Sequence, residues 1–169
     1  MHQVVTIIAK DFIIVPVLLA VITWLRLPRD HKLRFIVLTI LAGAITFGAA
    51  RLAAKLYYDP RPFVTNHITP YFKHAADNGF VSDHTLLGTL LAFVTLRYSH
   101  NLGYISLIFA VLVGSARVVA GVHHIQDVVG ALVISGSSVL LVTWALGSWL
   151  RGQHRSATAS TASERRHRS

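Results

Sequence analysis

Three polar clusters interrupt an otherwise apolar chain. They read Lys55-Leu-Tyr-Tyr-Asp-Pro-Arg61-Pro62, Phe80-Val-Ser82-Asp83-His84 and Ser115-Ala-Arg117-x5-His123-His124-Ile-Gln-Asp127. Together they supply three permanent cations (Lys55, Arg61 and Arg117), a hydroxyl at Ser82, candidate histidines, and a carboxylate four residues after one of them. Cations with fixed donors hold phosphate, and the planar Arg fork matches its oxygens. A phosphoryl group in transfer needs its charge neutralised and a nucleophile in line. A neutral, oriented imidazole can be that nucleophile. If Val122–Asp127 is helical, Asp127 falls one turn from His123 on the same face. A carboxylate on one ring nitrogen leaves the other as an attacking lone pair. Arg51, one turn before Lys55, is a second candidate for the first cation.

These groups must be positioned by membrane helices. The 169 residues are 53% hydrophobic and 14% charged, with mean hydropathy +0.55, where an ordinary soluble domain carries about 25% charged residues. Such a composition excludes disorder and argues against a soluble globule. With no cysteine, disulfide frameworks, thiolate metal sites and cysteine nucleophiles are excluded. Five apolar runs stand out, at about Phe12–Leu27, Phe35–Tyr57, Thr85–Leu96, Leu102–Ala120 and Val128–Leu150. A spanning helix needs roughly 17–25 residues, so the first and third runs are marginal. Met1–Ala9 either extends the first helix or lies in the interface. The expected fold is all-α, a polytopic transmembrane bundle of about five spans. Residues 1–150 form the membrane domain, and 151–169 a basic tail without an apolar face, expected to be disordered.

Five spans put the Leu27–Arg34 loop, the Arg97–Asn101 loop and the tail on one side, and these hold ten arginines and lysines between Arg26 and Arg168. Short basic loops stay cytoplasmic. The three polar clusters then share the outer face, and the net charge of +9 is topology signal, not a nucleic-acid surface. In the exterior loop His67, Lys73 and His74 read as solvated surface or as contacts for a distal phosphate. His124 reads as a spare interfacial histidine or a diphosphate contact, and Asp59 as a partner for Arg61 or Arg51. An ionisable group amid apolar residues is costly and so is usually paired or functional.

In order and type, the clusters resemble the signature of the type 2 phosphatidic acid phosphatase (PAP2) superfamily, Lys-x6-Arg-Pro, Pro-Ser-Gly-His and Ser-Arg-x5-His-x3-Asp. Here five residues separate Lys55 from Arg61, Val81 and Asp83 replace Pro and Gly, and Ala116 separates Ser115 from Arg117. Ser82-Asp83-His84-Thr85 and Arg61-Pro62-Phe63 resemble the bacterial undecaprenyl-diphosphate phosphatase branch. The resemblance covers about Lys55–Gly130. It implies that His123 is the nucleophile and forms a phosphohistidine, that Asp127 orients it, and that His84 protonates the departing oxygen and then activates water. Lys55, Arg61, Ser82 and Arg117 would hold the phosphoryl oxygens, with the Asp83 backbone N–H. It implies a membrane-lipid substrate, undecaprenyl diphosphate or alternatively phosphatidic acid or phosphatidylglycerol phosphate, and neither metal nor cofactor. From another class, a non-catalytic transporter or lipid-binding protein fits the basic bundle. Binding alone, however, does not require an aspartate one turn from a histidine.

Overall fold

A computed structural model describes residues 1–166, with side chains as far as Ser148; the expected tail at 151–169 lies outside the fully described residues. The chain is helical. The elements are α1 (His2–Asp11), α2 (Ile14–Arg26), α3 (Arg29–Leu56), α4 (Pro62–Thr65), α5 (Asp83–Leu96), α6 (His100–Val119) and α7 (Ile125–Arg166). The one β feature among the described residues is an isolated bridge between Pro60 and Asn78.

Among the described residues, four stretches are long and apolar enough to cross a bilayer: His2–Arg26, Arg29–Leu56, His100–Val119 and Ile125–Ser148. Met1–Ala9 therefore extends the first apolar stretch, with a break at Phe12–Ile13 where α1 gives way to α2. The third expected span, α5, has 14 residues, about 21 Å at 1.5 Å per residue, short of the usual spanning length. Its surroundings explain this. Thr85, Leu86, Gly88, Thr89, Leu90, Ala92, Val94 and Thr95 are all buried, so protein, not lipid, covers most of its surface. Non-ideal segments at membrane depth are tolerated where protein surrounds them.

α5 packs against α2, α3, α6 and α7. Small residues permit the approach. A Cβ on Gly88 would meet that of Ala110 on α6 at 3.0 Å, and one on Gly114 would lie 2.8 Å from Val128 of α7 and 2.9 Å from Thr85 Oγ1. The Thr89 and Ser135 hydroxyls, 2.7 Å apart, join α5 to α7, a class of bond worth about 0.6 kcal/mol in membranes. One apolar cluster joins Ala20, Phe35, Leu38, Ala42, Leu90, Val94, Val139 and Val142 from four helices. The outward surface is apolar too, with Ile40, Leu52, Ile108, Val133, Leu140 and Trp144 exposed. A bundle apolar on both its inside and its outside is a membrane bundle.

The direction of the helices decides where the polar clusters meet. α3 ends and α5 begins at the ends joined by residues 57–82, and α6 ends where the turn 120–124 leads into α7. All three clusters therefore lie at one end of the bundle, away from the Leu27–Pro28 and Arg97–Ser99 connections.

Candidate active site

Arg61 is held by its own local sequence. It precedes Pro62, which disfavours the helical region for it, and it adopts φ −58°, ψ 151° as the residue that opens α4. Pro62 is at the first helical position, where its missing N–H costs nothing. The Arg61 side chain is buried. Its Nε donates to Asp77 Oδ1 at 2.7 Å and its Nη1 to the Val122 carbonyl at 2.8 Å, with Nη1 also 3.2 Å from His123 Nε2.

The loop carrying Asp77 is clipped to the end of α3. Gly79 N donates to the Asp59 carbonyl (2.8 Å), Asp59 N donates to Asn78 Oδ1 (2.9 Å), and Asn78 Nδ2 donates to the carbonyls of Ala54 and Tyr57. Gly79 is required by crowding. A Cβ there would stand 3.1 Å from both Asp127 Oδ2 and the Asp59 carbonyl oxygen.

Arg117 reaches the same point from the last turn of α6. It is 3% exposed. Nη1 donates to the Ala9 carbonyl of α1 at 3.1 Å, while Nη2 lies 3.2 Å from His74 Nε2 and 3.4 Å from His123 Nε2. Its Nε is buried without a partner among the described residues.

His123 lies between the two guanidinium groups. It is 2% exposed, and its Nδ1 is 3.0 Å from Asp127 Oδ2. The three neighbours agree on one tautomer. The carboxylate can only accept, so Nδ1 carries the hydrogen; the guanidinium groups can only donate, so Nε2 presents its lone pair to them. Burial lowers the His123 pKa from its ordinary value. The Asp127 bond opposes that shift, and the Arg117 and Arg61 charges add to it.

The expected helix over 122–127 is not what joins His123 to Asp127. Residues 120–123 are turn and bend, with Gly121 at φ +74°, a left-handed conformation that favours glycine. α7 starts at Ile125, and Asp127 in its first turn accepts from the His124 backbone N–H at 2.9 Å. The carboxylate thus caps the helix start and holds the imidazole with the same oxygen.

The remaining expected residues are distributed as follows. Ser82 is fully buried immediately before α5; its Oγ accepts from Thr85 Oγ1 at 3.0 Å, and its N–H donates to the Asp127 carbonyl at 3.4 Å. His84 is half-buried and shares a 370 Å³ cavity with Ile13, Phe47, Arg51, exposed Asp83 and Leu87. Lys55 is exposed on the last turn of α3 and does not line that cavity; Arg51, one turn earlier, does. Arg61, Arg117, His123 and Asp127 are brought into direct contact, and Ser82 is tied to Asp127 through the backbone.

Two sequence-level readings change. Asp59 pairs with neither Arg61 nor Arg51. Its Oδ2 is 3.0 Å from His124 Nδ1 and accepts from Gln126 Nε2 at 2.7 Å. The partner of Arg61 is Asp77, whose pKa burial would raise but which the Arg61 hydrogen bond and charge hold below the ordinary carboxylate value. His74 is not plain solvated surface but sits on Arg117. Neither Asp77 nor His74 carries a spacing signal, because the fold of the loop brings them here.

Asp59, His124 and Asp127 place possible ligand atoms within 4.8 Å of one another. Their hydrogen bonds to each other, to His123 and to Gln126 already account for that convergence.

Buried cations around an unprotonated nitrogen, with a carboxylate behind the ring, can hold an anionic group beside a potential nucleophile. Residues 53–151 match the family model described as the PAP2 superfamily. The undecaprenyl-diphosphatase BcrC of Bacillus subtilis (strain 168) is 36% identical over 84 residues, covering 50% of this chain and 44% of that protein. The Escherichia coli (strain K12) protein YbjG is 35% identical over 130 residues, covering 74% and 63%. The bacitracin transport permease protein BcrC of Bacillus licheniformis is 27% identical over 125 residues, covering 73% and 61%. The aligned regions thus span less than two thirds of each of these relatives. With the family model covering more than half its length, the chain belongs to the PAP2 superfamily.

Proposed function

We propose that this protein is an integral membrane lipid phosphatase that hydrolyses undecaprenyl diphosphate to undecaprenyl phosphate and phosphate. The observation that carries the reading is the bare His123 Nε2, 3.2 Å from Arg61 and 3.4 Å from Arg117, with Asp127 on the opposite ring nitrogen. The name of the B. subtilis relative, an undecaprenyl-diphosphatase, suggests the lipid.

In the first half-reaction Nε2 attacks the terminal phosphorus. A P–N bond forms, and the P–O bond to the lipid-linked phosphate breaks. The departing oxygen takes a proton from His84, and the imidazolium that forms is stabilised by Asp127. Arg61, Arg117 and Ser82 hold the equatorial oxygens, whose charge must be neutralised throughout. In the second half His84 takes a proton from water, the water oxygen attacks phosphorus, and the P–N bond breaks to release phosphate. The apolar residues Ile13, Phe47 and Leu87 beside His84 suit a leaving group attached to a lipid tail. Lys55 or Arg51 supplies the remaining cation, and the Asp83 backbone N–H faces the same group.

The basic Leu27–Arg34 and Arg97–Asn101 connections favour a cytoplasmic location for that end of the bundle in the plasma membrane, which puts the site on the extracytoplasmic side. The test is phosphate release by purified protein in detergent from undecaprenyl diphosphate, phosphatidic acid and phosphatidylglycerol phosphate, with acid quenching to trap phosphohistidine. Preferred turnover of the diphosphate with a His123-dependent acid-labile phosphoprotein is expected. A preference for a phospholipid would reassign the substrate, and no release from any lipid would favour a non-catalytic transport or lipid-binding role.

A further inference from the structure

His74 belongs to a loop that the motifs do not cover, yet the fold fixes it over the site. Tyr71 N donates to the Ala120 carbonyl at 3.1 Å, and the Tyr71 ring stacks on His2 of α1 at 4.0 Å. Phe72 lies under two cations, with Lys10 Nζ 5.3 Å and the Arg117 guanidinium carbon 5.9 Å from its ring centre. The next ring along is His74. It meets His123 edge-on, with centres 6.2 Å apart, and its Nε2 is 3.2 Å from Arg117 Nη2. Its Nδ1 donates to the Ala75 carbonyl at 3.4 Å, so Nε2 is the lone-pair side and accepts from Arg117.

That bond marks a position where an oxygen fits. One atom can lie at hydrogen-bond distance, about 2.8–2.9 Å, from two nitrogens separated by 3.2 Å. An anionic oxygen there accepts from Arg117 Nη2 and, once the imidazole carries a second proton, from His74 Nε2 as well. Protonation without the anion would set two cations against each other. Anion and proton therefore arrive together.

We propose that His74 is a direct phosphate-binding residue, which takes up a proton as it donates Nε2–H to a non-bridging oxygen shared with Arg117. The inference rests on the phosphatase reading and extends its oxyanion site by one residue. The groups facing His74 are Arg61 at the start of α4, Arg117 of α6, His123 of the following turn, His84 of α5 and Asp77 of its own loop; Lys10 of α1 approaches by way of Phe72, and Lys73 adjoins it. Burial and the Arg61 charge hold free His74 neutral near pH 7, with Arg117 acting in the same direction and Asp77 opposing it. The bound anion reverses that balance.

Tungstate at micromolar concentration is a suitable probe, because dilute tungstate stays a monomeric dianion across the histidine range. Calorimetric binding to full-length protein in detergent, between about pH 5.5 and 8, reads both affinity and proton uptake. In the unsubstituted protein, tungstate binds more tightly as pH falls. His74→Ala is expected to weaken binding at the acid end about tenfold, the scale of losing one charge-assisted bond, and to take up about one proton fewer per anion. His74→Gln keeps an N–H donor that cannot titrate, so it should retain part of the affinity and lose the same share of the pH dependence. Unchanged affinity and proton uptake in both variants would overturn the proposal while leaving the phosphatase reading intact. Tighter binding by His74→Ala would also overturn it, since His74 would then be a plug on Arg117. Failure of the unsubstituted protein to bind tungstate at all would remove the oxyanion site on which both readings depend.

Discussion

His123 Nδ1 and Asp127 Oδ2 lie 3.0 Å apart, with side-chain exposures of 2% and 0%. Neither group can trade this contact for water. The pair therefore fixes one ring orientation and one tautomer, and Asp127→Asn tests it with little change of shape. An amide facing Nδ1 permits the wrong tautomer, so turnover should fall on the order of 10⁴-fold, as for comparable carboxylate–imidazole pairs. Initial rates with saturating lipid measure this. A loss below tenfold would mean that Asp127 is a helix cap and little more.

In the proposed mechanism His123→Ala removes the attacking atom. Loss of a covalent nucleophile should reduce turnover by several orders of magnitude, with the acid-labile phosphoprotein gone. Near-normal phosphate release from the purified variant would end the nucleophile assignment.

Arg117 touches His123 with Nη2 and α1 with Nη1. Arg117→Ala should lower kcat by about a hundredfold or more, the scale of losing one transition-state donor. Arg117→Lys should recover only part of this, because an ammonium cannot serve two directions with a rigid fork. An effect confined to KM would make Arg117 a ground-state binding residue.

The pH profile has a definite sign. Nucleophilic attack needs neutral His123, and burial lowers its pKa from the ordinary value of about 6.5. kcat/KM should therefore fall on the acid side, with the limb below about pH 6.5, while loss of the proton that His84 donates sets a separate alkaline limb. Asp127 supports the protonated ring, so Asp127→Asn should move the acid limb to still lower pH. Stopped assays in lipid–detergent micelles would locate it, and an acid limb centred above pH 7 would contradict a buried neutral nucleophile.

Gly79→Ala tests the packing behind the carboxylate. The new Cβ would stand 3.1 Å from Asp127 Oδ2 and the Asp59 carbonyl, forcing one of them to move. Turnover should fall about tenfold or more, since small misplacements of reacting groups are expensive. Full activity in that variant would show that the Asp127 side of the site is compliant.

The residues that converge in the core of the candidate site were legible in the sequence because they are carried by short spacings. Arg117, His123 and Asp127 lie within eleven residues, and Arg61 is flagged by the prolines around it. The helical bundle was legible because apolar runs of spanning length have few alternatives. Three features were not. α5 depends on what surrounds it, and its 14 residues are sufficient only because neighbouring helices cover it. The turn at 120–124 depends on Gly121 and on backbone bonds, so an i,i+4 spacing suggested a helix that is not there. Asp77 and His74 are placed by bonds from Asn78, Gly79 and Tyr71 to distant backbone, and such bonds leave no periodicity to read.

The Ala9–Arg117 bond has a further implication. Its acceptor is a main-chain oxygen on α1, so every amino acid at position 9 offers the same group. A residue-by-residue substitution survey would pass over this tie between α1 and the candidate site. Only swinging the first helix aside would reveal how firmly that guanidinium depends on it.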